Sequence, residues 1–482
     1  MQNPDPRRRR RNVALRRRVA AGTAALVVLL VAFLVVHVTV APSSARHRHT
    51  QTTQRTAPTN PRQSATSTST SNATTSSAPQ PVWRVAWGSA MAWGHDTATN
   101  VTVRELATVG VGGQGVKVRI SNTFGNAPMV IGAATVGVDA GAATVQPGTI
   151  QPLTFNGQPG TTVPIGQEVV SDPVNMTVTD EETLAISVYV VDPDLVTVHP
   201  CCTTQALVSF STPNGGGNLT ASTTSQGFSL SSWYPRWVDA VDVLQTTGHG
   251  SIVVIGDSIT DGFNSTLRWT DVLQQRIDQL PASEQRAVVN EGISANALTS
   301  DVPTDSTTGG GPSGLSRLGT DALDLPGVSE VVLFLGTNDI YFGASAQDVI
   351  AGYEQAIAEV HQAGIRIIGV TIIPRNPGAD AWTPTDQIER QQVNTWMATS
   401  GQFDGVLNFA GVVADVYDGA CSPTLTFPPY NAGDNIHPNA AGQVAMADSV
   451  DPAILELPPL PLVPPLVTVT PTPGCNTNVI TS

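Results

Sequence analysis

Ile252 to Ile255 is an uninterrupted β-branched run that stops abruptly at Gly256-Asp257-Ser258, and this short stretch restricts the fold more than any other. A strand without polar alternation is buried on both faces, as central strands of parallel sheets are. The abrupt stop sets Ser258 at that strand's carboxyl end, the edge at which open α/β sheets bind ligands. Strand-Gly-Asp-Ser is also the sequence of an ordinary turn and helix cap, so the meaning of Ser258 depends on which other loops share that edge.

The sequence around this run has the matching rhythm. After Gly248, strand candidates at Ile252–Ile255, Ala287–Asn290, Val331–Leu335, Ile365–Ile373 and Gly405–Phe409 alternate with helical stretches at Arg268–Leu280, Leu315–Leu323, Ala346–Ala363, Asp386–Thr399 and Pro438–Val450. The pattern predicts an α/β domain over 248–456, a doubly wound, flavodoxin-like parallel sheet in three layers. Ahead of it, 82–247 has short alternating runs such as VKVRI, MVIGAATVGV, QEVVS, LAISVYVV and ALVSF between turn residues, which predicts an all-β sandwich or jelly-roll-like domain. Trp83, Trp87 and Trp93 read as core residues of that domain, with a sugar-stacking platform as the alternative. His95 and His199 have no metal-like spacing and read as structural or surface residues.

The first 81 residues have a different composition. Arg7–Arg11 and Arg16–Arg18 precede 23 residues, Val19–Ala41, without Asp, Glu, Lys or Arg. A helix of that length would reach about 35 Å, enough to cross a bilayer with some tilt. The reading is a basic cytoplasmic segment over 1–18 and a transmembrane signal anchor over 19–41. A cleaved signal peptide is the alternative, and both export the remainder. The Ser-, Thr- and Pro-rich stretch 42–81 reads as a disordered linker, and 457–482 as a Pro-rich tail.

Half of the 24 Lys and Arg residues lie between Arg7 and Arg62, where Asp5 is the one preceding acid, so the chain beyond Arg62 holds 12 basic against 37 acidic residues. Such a balance disfavours nucleic acid and anionic lipid, and favours neutral or cationic partners. The four cysteines, Cys201, Cys202, Cys421 and Cys475, lack zinc-site spacing and suggest disulfides outside the cytoplasm. Cys421 with Cys475 would tie the tail to the α/β domain, while Cys201 and Cys202 are paired together, paired elsewhere or free.

Acyl transfer needs a nucleophile, a base, a group that orients the base and donors where the oxyanion forms. Ser258 is the candidate nucleophile. His437, in AGDNIHPNAAG, sits on a loop just before Pro438, which suits the first turn of a helix. Asp434, three residues earlier, can fold its carboxylate back onto the imidazole Nδ1 and leave Nε2 for the serine. Gly292 follows the second strand and Asn338 the third. A backbone N–H at the first and a side-chain amide at the second could donate into the same space. Each loop alone reads as a polar turn, but four such loops at successive strand ends converge on one edge.

With these blocks in place, residues 251–450 resemble the SGNH superfamily of GDSL-type esterases and lipases: GDSIT, NEGISAN, GTND and DNIHP stand in family order. The resemblance implies Ser258 as nucleophile, His437 oriented by Asp434, and an oxyanion hole from the N–H groups of Ser258 and Gly292 with the Asn338 side chain. Many relatives have glycine where Ala295 stands, so the second block departs there from the family pattern. SITDGFNST with Arg268, Trp269 and Asp271 looks most like a secreted branch related to carbohydrate acetyl esterases.

The expected function is an exported serine esterase acting on short-chain, chiefly acetyl, esters of a small molecule or polysaccharide, with no metal or organic cofactor and no nucleic-acid partner. A lipase or lysophospholipase is the alternative, and a vestigial surface carbohydrate- or wall-binding protein is the alternative of another class. Asp257 and Asp339 read as turn-shaping residues, and His249 and His361 as surface residues. Gly309-Gly310-Gly311-Pro312 lacks the Lys-Ser/Thr of a phosphate-binding loop and reads as a mobile loop beside the cleft.

Overall fold

The computed structural model describes residues 80–192, 194–200, 208–246, 248–305, 309–376, 379–415 and 422–467. The anchor, almost all of the linker, the four cysteines and the end of the tail lie outside them. Among the described residues no helix is long and apolar enough to cross a membrane.

The β-branched runs form the five parallel strands their burial calls for: β1 (Ser251–Gly256), β2 (Val288–Gly292), β3 (Val328–Phe334), β4 (Arg366–Val370) and β5 (Gly405–Leu407). Their order is β2-β1-β3-β4-β5, so the winding reverses between β1 and β3 and opens a crevice at their carboxyl ends. Gly256 is in register with Gly292 on one side and Phe334 on the other, so the chain leaves three adjacent strands at one level.

Around the sheet lie α1 (Ser258–Asp261), α2 (Trp269–Ile277), α3 (Gly314–Leu318), α4 (Thr337–Tyr341), α5 (Ala346–Gln362), α6 (Pro384–Thr399), α7 (Phe409–Val413) and α8 (Ala440–Asp448). Alternate strand residues supply the two faces. Ile252, Val254, Val332, Phe334, Ile368 and Val370 pack with Trp269, Leu273, Val444 and Met446 of α2 and α8. Val253, Ile255, Val331, Leu333 and Ile367 face Val349, Tyr353, Val393 and Met397 of α5 and α6. Capping boxes at Ser345/Asp348 and Thr383/Asp386 start α5 and α6, each satisfying donors that a helix start leaves open. The fold class expected from the sequence is the one observed.

The β region is antiparallel. One sheet orders Val82–Gly88, Val238–Gln245, Val116–Ser121 and Glu168–Val170, and the other is centred on Val101–Thr108, Thr183–Val190 and Met129–Gly141. Its interior is continuous with that of the α/β region: Val85, Val116 and Val241 belong to the same buried cluster as Val253, Ile255 and Val289. The approach is close enough to require glycine at position 88, where a Cβ would lie 1.9 Å from Glu291 Oε1 and 2.6 Å from Val289 Cγ1. The Ser251 hydroxyl donates to Val85 O at 2.6 Å, and Val85 N–H donates to Pro326 O at 2.9 Å.

Two sequence expectations are corrected, those for the triple glycine and for Pro438. The triple glycine is no open loop: Gly309–Gly311 pairs with Val302–Asp305, and its three glycines are buried. Of the two readings of His199, structural or surface, its burial selects the structural one. Helix α8 starts after Asn439, whose side chain accepts from Gly442 N–H, so Pro438 precedes the cap instead of opening the first turn. The described part of the tail is anchored, with Leu457 and Leu460 buried and Pro461 O accepting from Arg276 Nε at 2.9 Å. The three tryptophans are half-buried in separate settings: Trp87 against the core, Trp83 beneath the Lys117 ammonium and Trp93 against Phe124.

Candidate active site

Ser258 follows β1 directly because Gly256 and Asp257 turn the chain into α1. Asp257 has extended backbone and caps the helix, its carboxylate accepting from Ile259 N–H at 2.9 Å. Burial raises its pKa to about 7, against the Ile259 bond and the nearby Arg375, which favour ionisation. Ser258 is the first residue of the helix, where a backbone N–H has no intrahelical acceptor. Gly262, at φ +94°, ends the helix after one turn.

The loop after Asn431 brings the other two polar side chains to this point. Ser258 Oγ lies 2.8 Å from His437 Nε2, and His437 Nδ1 lies 2.7 Å from Asp434 Oδ2. The Asp434 carboxylate is itself fixed. Oδ1 accepts from Ile436 N–H and His437 N–H, both at 2.9 Å, and Oδ2 accepts from Asn264 Nδ2 at 2.8 Å. Burial opposes its ionisation, but the bonds from His437 and Ile436 outweigh it and hold the carboxyl well below the usual range. The Phe263 ring covers one side of the imidazole at 4.7 Å between centroids. Ser258 and His437 are largely buried, keeping 9% and 8% of their surface exposed.

The structure brings Asn338 to the same strand-end level. It lies in α4 just beyond β3, and its Nδ2 donates to Asn296 O at 2.9 Å, leaving one amide hydrogen for another acceptor. Gly292 does not fit its expected part. Its N–H donates to Asn290 Oδ1 at 2.9 Å, and the reason for glycine there is close packing, since a Cβ would lie 2.6 Å from Asp261 N. The backbone amide in this block without a protein acceptor among the described residues belongs to Ala295, which stands at φ +62°. The departure from the family pattern therefore falls on a residue that alanine occupies in the left-handed conformation, where relatives use glycine.

Residues not singled out in the sequence hold these loops together. Buried Arg317, in α3, donates to Gly256 O at 3.0 Å, Glu291 O at 2.7 Å and Asn296 Oδ1 at 3.2 Å, and pairs with Asp321 at 2.8 Å. It thus ties the ends of β1 and β2 to the Ala295 loop. Asp339 accepts from Leu298 N–H at 2.7 Å and Thr299 N–H at 2.9 Å, joining the third loop to the second. No short motif marks Arg317. A lone arginine in a brief amphipathic stretch reads as surface until the strand ends surround it.

Chemically, the imidazole can take the Ser258 proton at Nε2 while Asp434 holds Nδ1–H, and the Ser258, Ala295 and Asn338 donors lie at the same end of the sheet. Residues 254–445 match the family model of the GDSL-like lipase/acylhydrolase family. No curated protein matches the chain in sequence. Among solved structures it is similar to a GDSL-like lipase from Bacteroides thetaiotaomicron, with 16% identity, 43% of this chain and 88% of that chain covered, and a TM-score of 0.32. It is also similar to the M. smegmatis aryl esterase, with 20% identity, 43% and 99% covered, and a TM-score of 0.33. Residues 254–445 thus form a GDSL-like lipase/acylhydrolase domain, and the chain is a serine hydrolase that acts on ester bonds.

Proposed function

We propose that the chain is an exported serine esterase that removes short acyl groups, chiefly acetyl, from neutral extracellular polysaccharide. His437 Nε2 takes the Ser258 proton as Oγ attacks the ester carbonyl, and the donors at the strand ends hold the developing oxyanion. The leaving alcohol takes that proton from His437, giving an acyl-enzyme. His437 then deprotonates a water that attacks the acyl carbonyl, and the returned proton restores Ser258 and frees the acid. Asp434 keeps the imidazole in the tautomer that both steps require.

The observation that carries this reading is the unbroken Ser258–His437–Asp434 chain, with contacts of 2.8 and 2.7 Å. The choice of a neutral polymer is supported by the acidic balance after Arg62, which disfavours an anionic surface as substrate. Export is supported by the Arg-flanked run 19–41. That same run favours a second reading, a lysophospholipase held at a membrane.

The test compares hydrolysis of p-nitrophenyl acetate by the wild type and Ser258→Ala. Turnover retained by the variant would refute the mechanism. On the wild type, faster release from acetylated xylan than from a long-chain acyl lysolipid is expected, and the reverse order selects the lipid reading.

A further inference from the structure

We infer that the β domain is a working part of the active site, with His199 positioning the Ala295 loop through Asp261 and Ser294. The inference rests on the serine esterase reading and adds a role for a domain that the family match does not include.

His199 is the polar residue that crosses from the β domain to α1. It is 5% exposed, its Nδ1 lies 2.8 Å from Ala90 O within its own domain, and its Nε2 lies 3.2 Å from Asp261 Oδ1. Both nitrogens face oxygen atoms, so the ring bridges the β region and α1. Asp261 is 2% exposed and is the last residue of α1, the helix that Ser258 begins. Its other oxygen accepts from Ser294 N–H at 3.1 Å and from the Ser294 hydroxyl at 2.5 Å. The next residue is Ala295, at φ +62°.

A second path from the β domain reaches the same residue. Ser294 O accepts from Gly310 N–H at 2.7 Å, and neighbouring Gly311 lies against Ala92, whose Cβ would be 3.3 Å from a Cβ added there. His95, on the strand Ala92–Ala98 that Ala92 begins, also reaches Thr304 O at 3.2 Å in the segment paired with Gly309–Gly311. Ser294 is therefore held on its N–H and hydroxyl through Asp261, and on its carbonyl through Gly310. A left-handed alanine persists only where its surroundings over-determine it, and here two contacts with the β domain do so. Without His199, the Asp261 carboxylate loses a donor and is free to release Ser294, and the Ala295 N–H loses its aim.

A positioning residue of this kind affects turnover and leaves substrate affinity alone. His199→Ala is expected to lower kcat on p-nitrophenyl acetate about tenfold or more, with KM within about twofold, while thermal unfolding stays cooperative. His199→Gln, which keeps one donor, is expected to recover part of that loss. Ser294→Ala should lower kcat in the same way, and the double variant should lose less than the product of the single effects. A folded His199→Ala with kcat within twofold of wild type, a loss residing in KM, or multiplicative single effects would overturn the inference. If His199→Ala does not fold, Ser294→Ala and His199→Gln decide it by the same kcat criterion. Ser258→Ala, assayed in parallel, keeps the readings apart. Activity retained there refutes the serine mechanism, whereas an inactive Ser258→Ala beside a fully active His199→Ala refutes only the positioning role.

Discussion

Asn290 takes the Gly292 N–H onto its own side-chain oxygen at 2.9 Å, and gives its amide to Thr260 O and Thr270 Oγ1, both at 2.7 Å. The end of β2 is thereby bound to Thr260 within the serine helix and to Thr270 in α2, and Gly292 serves packing.

Substitution at the two positions of this block should separate those roles. Gly292→Ala places a Cβ against the backbone of Asp261, which cannot yield as a side chain does, and is expected to lower stability by about 1–3 kcal/mol. In Ala295→Gly the relief of left-handed strain and the added chain entropy are each about 1 kcal/mol and oppose one another. That variant should melt close to wild type and keep its activity. Urea unfolding of both, beside their steady-state rates, checks the pair.

Asn338→Ala removes one donor while Ser258 and His437 stay in place. Under the proposed mechanism, in which the bond is made to the developing oxyanion, turnover should fall about 10²-fold or more with little change in KM. A rise in KM at constant kcat would show that the amide binds substrate without favouring the transition state.

The charge of Asp434 can be followed separately from its chemistry. Its folded pKa is depressed, so it contributes stability above its unfolded value, near 4, that is lost as pH falls towards the folded one. Thermal melts from pH 7 to 3 should show the margin of wild type over Asp434→Asn narrowing below about pH 4. The same variant should lose about 10³–10⁴-fold in kcat at neutral pH, because the imidazole tautomer is no longer enforced.

Glu105 in the β region has the opposite sign. It is fully buried, and desolvation raises its pKa to about 8, against bonds from Ser209 and Arg236. The unfolded chain ionises near the usual carboxylate value while the folded one holds its proton, so this contribution is present at low pH and lost as pH rises towards 8. Glu105→Gln should flatten that part of the stability profile, and melts at pH 5 and pH 8 measure the change.

Arg317 is the residue on which the strand ends converge. Arg317→Met removes its bonds to Gly256 O, Glu291 O and Asn296 Oδ1 and leaves half-buried Asp321 without its cation, an expected loss of about 3 kcal/mol. Lysine cannot replace it, because one ammonium cannot span the same acceptors with a planar fork. Chemical denaturation of both variants checks this.

The parallel sheet was legible because its strands carry no polar alternation, and Ser258, Asn338, Asp434 and His437 because each ends or follows a strand in a short polar loop. Gly292 was misread for a physical reason. A glycine at a strand end can admit a ligand or a neighbouring backbone, and only the position of Asp261 N distinguishes the two. His199 and Arg317 were illegible because their partners lie on other elements, 62 residues away at Asp261 and 61 at Gly256, and no local spacing encodes such a meeting. The triple glycine reads as loop chemistry when its partner strand and the β domain behind it are unknown.

The continuous interior through Val85, Val241, Val253 and Val289 has a practical consequence for anyone handling the protein. The boundaries of the recognisable hydrolase are not places where the polypeptide can be divided. A fragment beginning near residue 248 would open to water the face that Val82–Gly88 now covers, and expression would yield aggregate before any assay of the isolated catalyst. Grafting this catalyst into another scaffold requires carrying that foreign-looking strand with it.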